Sequence, residues 1–150
     1  QQEKQVTEKV MTLRDTIAPK SDQLNFDDVA ISPVTVRVVK MAMGSAEQPV
    51  IVNICNAETG EPMRDFKPCK TVRRVLIKAW GEKGRDWIGK RMTLYGDQAV
   101  KYGGAEVGGI RVSHVSGITA PLRLMLTQSR GRKNETIIQV LPEIKTEQEA

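Results

Sequence analysis

Aromatic residues are scarce in this chain: two Trp, two Tyr and two Phe among 150 residues. A core of this size must be built mainly from aliphatic side chains, and any exposed ring stands out enough to be considered singly. Cysteine is equally sparse. Cys55 and Cys69 each stand alone in sequence; a disulfide between them is one reading, and two free thiols of a reducing compartment is the preferred one. With a single histidine, His114, a zinc site would have to recruit carboxylates, so no metal and no cofactor is expected. No apolar run approaches the roughly 18 residues of a membrane span, and the polar stretch from Gln1 to Leu13 has no signal-peptide pattern. These absences exclude a membrane role and point to the cytoplasm.

What the chain does have is positive charge, placed unevenly. Residues 64–133 carry sixteen Lys and Arg against five Asp and Glu, a net +11, while residues 1–63 and 134–150 each sum to −3. A basic block between mildly acidic ends is the footprint expected of a protein that meets a polyanion. A solvated face that merely keeps the protein soluble is the competing reading.

The chain divides into three parts. Residues 1–20 hold Val6, Val10, Leu13 and Ile17 at helical spacing up to Pro19, which predicts an amphipathic helix that packs on the domain or pairs with a second copy, giving a homo-oligomer. Residues 21–142 form the main domain, where the period changes to two. Val34–Val39, Val50–Cys55, Val72–Trp80, Met92–Tyr95, Ile110–Val115, Leu122–Thr127 and Thr136–Leu141 read as strands, with one helical turn at Asp86–Gly89. Residues 143–150 read as a charged, loose tail. Seven short strands with a helical turn between the third and fourth predict a mainly β fold, an OB-like small barrel.

Within the basic block, a strand through Val72–Trp80 would put Arg74 and Lys78 on one face about 13 Å apart, the span of about two nucleotides, with Arg73 on the other face. Lys70, Lys90, Arg91, Lys101, Arg111 and Arg123 add to the block, as does the loop of Arg130, Arg132 and Lys133. Four of the six rings lie here too. Trp87 is expected in the core. Trp80 divides between core and surface, and Tyr95 and Tyr102, bordering a glycine-rich segment, are the best candidates for stacking on bases. That segment, Gly103-Gly104 to Gly108-Gly109, has neither the P-loop ending nor the dinucleotide-binding spacing and reads as a bulged β-hairpin. No catalytic triad assembles, and acidic residues are too few in the block for a two-metal nuclease site. The chain reads as a binding protein and not as an enzyme.

Phe66–Val75, Ala79-Trp80-Gly81, Trp87–Lys90, Met92–Tyr95 and Gly108–His114 together resemble a group of small phage and prophage proteins associated with early replication and recombination genes. The resemblance covers about the middle third of the chain. It implies an OB-like protein with a single-stranded-DNA-binding role in an infected bacterium. The residues themselves, cations for phosphates and rings for bases, give the expectation of binding in the cytoplasm without sequence specificity, with RNA as the alternative nucleic acid. The tail from Glu143 to Ala150 departs from the acidic, aromatic-ended tip by which bacterial single-strand binders recruit partners. A protein from another class fits the same features: a phage-encoded chain that docks on or inhibits a host or phage replication protein.

Overall fold

The computed structural model describes residues 23–98, 101–102, 105–106, 108–129 and 132–143. The expected helix over residues 1–20 and the tail beyond Glu143 lie outside them. The chain enters through a short helix α1 (Phe26–Val29), whose first turn is tied by the Asn25 N–H donating to the Asp28 carboxylate at 2.7 Å. Strands β1 (Val34–Met43) and β2 (Val50–Asn56) then form an antiparallel pair with a bulge between Val38 and Lys40. Helix α2 (Lys70–Trp80) and a 3₁₀ turn (Gly84–Trp87) lead into β3 (Arg91–Asp97). A small hairpin, β4 (Lys101–Tyr102) with β5 (Ala105–Glu106), precedes β6 (Gly109–Val115). The hairpin of β7 (Leu122–Ser129) and β8 (Arg132–Val140) ends the fold.

Six strands make one sheet in the order β2-β1-β3-β6-β8-β7. Neighbours are antiparallel except β6 and β8, which meet in parallel through His114↔Gln139 and Val115↔Val140. The mainly β class is therefore as expected, but the sheet is open. Among the described residues no ladder joins β2 to β7, so the expected barrel is not closed. The expected third strand is not a strand either. Val72, Val75, Leu76 and Trp80 are all buried and recur at the spacing of one helical face. Lys70, Arg74 and Lys78 fall on the opposite, exposed side. A helix can bury the first set and solvate the second, whereas a strand would have turned Val75 away from Val72, Leu76 and Trp80 and put the three cations on the same face as those buried residues. Helix α2 ends where Gly81 takes a φ of +95° and its N–H returns to the Ile77 carbonyl at 2.8 Å, a geometry that glycine adopts without strain. The helical segment thus lies between the second and third strands of the chain and not between the third and fourth.

One core unites these elements. Val36 and Val38 of β1, Val52 and Ile54 of β2, Met92 and Leu94 of β3 and Val112 and Val115 of β6 close on the buried face of α2, on Val29 of α1 and on Ile138 of β8. At one corner Trp80 and Trp87 meet edge to face, ring centroids 5.7 Å apart. Trp80 donates its indole N–H to the Ser116 carbonyl at 2.8 Å and Trp87 to the Gly81 carbonyl at 3.0 Å. Both rings are buried with their polar atoms satisfied, which is how a large amphipathic ring enters a core at low cost. Trp87 fulfils its expected role, and the corner settles Trp80 as a core residue. Among the described residues no helix is long and apolar enough to cross a membrane.

Candidate nucleic-acid interface

Strand alternation sets up the sheet surface. With Met92 and Leu94 turned to the core, Thr93, Tyr95 and Asp97 of β3 turn the other way. The register then gives each an opposite number. Thr93 meets Thr35, their hydroxyls 2.8 Å apart, and Tyr95 meets Arg111 of β6. The Arg111 guanidinium lies 3.9 Å from the Asp97 carboxylate and donates to the Cys69 thiol at 3.3 Å. Tyr95 is half-buried. Its burial and the nearby Asp97 carboxylate push its phenol above the ordinary tyrosine range, while Arg111 pulls the other way. At neutral pH the ring is therefore an uncharged phenol beside a cation, a suitable platform for a base.

The Arg111–Cys69 contact matters because Cys69 is the residue at which α2 begins. It joins the sheet face to the helix, and from there Lys70, Arg74 and Lys78 follow at four-residue intervals along the exposed side. At 1.5 Å per residue the ridge is about 12 Å long. Arg74 and Lys78, expected about 13 Å apart on a strand, stand about 6 Å apart, one turn of helix. The first turn of α2 has no acidic residue and its N-cap makes no side-chain hydrogen bond, so the positive end of the helix dipole is unopposed. The Arg111–Cys69 contact thus links the Tyr95–Arg111 pair to the start of the helix that carries Lys70, Arg74 and Lys78.

Other residues expected in the interface are placed differently. Arg91 is buried, with 9% of its surface exposed, and its guanidinium donates to the Pro142 carbonyl. Its own N–H donates to the Ser116 hydroxyl at 2.8 Å. It holds Pro142 against β3 and does not face solvent. Trp80 is sealed in the core, as described. Lys90 donates its ammonium to the Asp86 carbonyl at 3.1 Å, and its stem lies where a side chain at Gly117 would stand, 2.7 Å from an ideal Cβ. Arg123 is exposed and paired with Glu135 across the β7–β8 hairpin at 3.0 Å. Arg73 is half-buried on the flank of α2 away from the ridge. Lys101 and Tyr102 form β4 of the expected glycine-rich hairpin, and Arg132 and Lys133 open β8. Arg130 lies outside the described residues.

Arg37 was not singled out from the sequence. Register places it beside Arg91 and Cys55, two residues along β1 from Thr35, and its half-exposed side chain extends the polar sheet face. Alternation with Val34, Val36 and Val38 was the available signal, masked by the net negative charge of the N-terminal block. His114 pairs its Nδ1 with the Ser113 hydroxyl at 2.7 Å. Cys55 is buried and Cys69 exposed, both as free thiols. Among the described residues no three His, Cys, Asp or Glu side chains gather as a metal site would require. No family model, curated protein or solved structure matches the chain in comparisons with known proteins.

Proposed function

We propose that this protein binds single-stranded DNA without sequence specificity, as a binding protein and not an enzyme, in the cytoplasm of a phage-infected cell during replication or recombination. The observation that carries the reading is the Arg111–Cys69 contact, which ties the Tyr95–Arg111 pair of the sheet to the N-cap of the helix that carries the basic ridge. Single-strand binders combine these two elements, a cationic path for phosphates and a ring for a base, and each stacked base contributes about 1–3 kcal/mol. The bulged sheet, with a helix inserted between strands, is on this reading an OB-like arrangement opened at one edge. RNA would meet the same chemistry and is the alternative ligand.

Fluorescence anisotropy with labelled single-stranded and duplex oligonucleotides, across a salt series, tests the proposal. Single strands should bind more tightly than duplex, and log K should fall linearly with log salt, by about 0.7 per phosphate neutralised. Replacing Arg74 and Lys78 together by Ala should flatten that slope by about 0.7 for each cation lost and weaken every sequence alike. Affinity that is the same at low and high salt would sink the proposal.

A further inference from the structure

Strand register draws a line of polar side chains across the sheet. Thr35 of β1 stands opposite Thr93 of β3, Thr93 opposite His114 of β6, and His114 beside Gln139 of β8. Their chain neighbours Val36, Met92, Val115 and Ile138 are buried in the core, so alternation turns all four to the face away from the helices. There Thr35, Thr93 and His114 are half-exposed and Gln139 is exposed. With about 4.8 Å between adjacent strands the row is about 14 Å long, room for about two bases.

The four side chains share one property. A threonine hydroxyl, a glutamine amide and a neutral imidazole each both donate and accept hydrogen bonds, whereas a charged side chain does only one. The Thr35 and Thr93 hydroxyls lie 2.8 Å apart, so one hydrogen is used between them and the other is left for a ligand. The Ser113 hydroxyl engages Nδ1 of His114 at 2.7 Å, and among the described residues nothing bonds Nε2. The edges of the bases carry donors and acceptors in patterns that differ from base to base. A row whose members exchange the two roles can meet any of them. Cations border the row on both sides. Arg37, half-exposed, lies two residues beyond Thr35 on β1, opposite Arg91, and Arg111 lies on the other side, opposite Tyr95. The Asp97 carboxylate offsets part of the Arg111 charge.

From this row and its flanking arginines we infer the part of the interface that touches the bases. A single strand crosses the sheet at right angles to β1, β3, β6 and β8. Its base edges hydrogen-bond to Thr35, Thr93, His114 and Gln139, and its phosphates are drawn to Arg37 and Arg111. Tyr95, two residues from Thr93 on the same face, supplies the ring beside the row. The inference rests on the proposed single-strand binding and gives it a physical reason for tolerating any sequence.

The test uses the full chain and labelled thymidine, cytidine and adenosine homopolymers in fluorescence anisotropy across a salt series. The parent should bind all three. Thr93→Val combined with His114→Leu should weaken each by about tenfold, with the salt slope unchanged because no phosphate-binding cation is removed. Arg37→Ala should instead flatten the slope by about 0.7. A circular-dichroism melt checks the fold of the double variant. Gln139→Met, at an exposed position, gives a second cut of about threefold should the double variant unfold. A parent that binds, with Thr93→Val/His114→Leu and Gln139→Met binding equally well, would overturn the row and leave the single-strand reading standing. A parent that binds no homopolymer would overturn that reading and the row with it. A loss confined to one base would make the row a sequence reader and overturn its tolerant role, and a loss that flattens the salt slope would assign the effect to charge and overturn it too.

Discussion

Two places in this molecule bring aromatic rings to the edge of a basic surface, and they have opposite fates. At the Trp80–Trp87 corner each indole N–H is spent on a backbone carbonyl and each ring is packed against the other. On the β3–β6 face Tyr95 stands half-exposed beside Arg111, with no hydrogen bond to its hydroxyl among the described residues. Both arrangements follow from strand and helix periodicity around one core. The difference teaches that proximity to cations does not make a ring a binding group. A ring whose polar atom is already satisfied inside the protein belongs to the fold, and one whose polar atom is unclaimed is free for a ligand.

The comparison breaks most sharply at Trp87. Trp87→Ala should lower unfolding free energy by about 3–5 kcal/mol in a denaturant titration, and the folded fraction should bind oligonucleotide as the parent does. A stable Trp87→Ala protein that no longer binds would reverse the assignment of the corner. Arg91 offers a second cut, because it is a cation used in the way the tryptophans are used. Arg91→Ala leaves the Pro142 carbonyl without its donor and should cost about 1–3 kcal/mol of stability. It should leave the salt slope of oligonucleotide binding where it was.

Tyr95 should behave in the contrary manner. Tyr95→Ala should weaken single-strand binding by about 1–3 kcal/mol and shift the melting temperature less than Trp87→Ala does. Equal losses of stability in the two variants would erase the distinction between them. The smallest expected effect concerns protons. The folded Tyr95 phenol titrates above its unfolded value near 10, so its protonated form is favoured in the native state. Its contribution to stability is then complete below about pH 10 and declines as pH rises through the folded value. Tyr95→Phe should remove that alkaline decline relative to the parent, and a spectrophotometric titration should lose its later phenolate component.

Much of this division is legible in the sequence. The alternation in Val34–Val39, Val50–Cys55 and Ile110–Val115 marked β1, β2 and β6, and Trp87 could be placed in the core by its helical turn. Helix α2 was not legible as such, because Val72, Val75 and Ile77 are β-branched and suggested a strand. The spacing of Val72, Val75, Leu76 and Trp80 was the stronger signal, since burial of a continuous face outweighs the propensity of single residues. The site was harder to read for a different reason. That Tyr95 meets Arg111, and Arg111 meets Cys69, depends on pairings between segments far apart in sequence, which no local pattern encodes. The same holds for the burial of Arg91, which in sequence is one more cation beside Lys90.

The attachment of the last hairpin carries a consequence for how the molecule folds and opens. Strands β7 and β8 pair with each other along most of their length, by contacts local in sequence. Among the described residues they join the rest of the sheet through two parallel residue pairs on β6 and the bond from the Leu141 N–H to the Val115 carbonyl. Pairings local in sequence form early, because little loop entropy is lost in closing them. The hairpin should therefore assemble as its own unit, and in the native protein its junction with β6, held by few bonds, should exchange amide hydrogens faster than the β1–β3 ladder does.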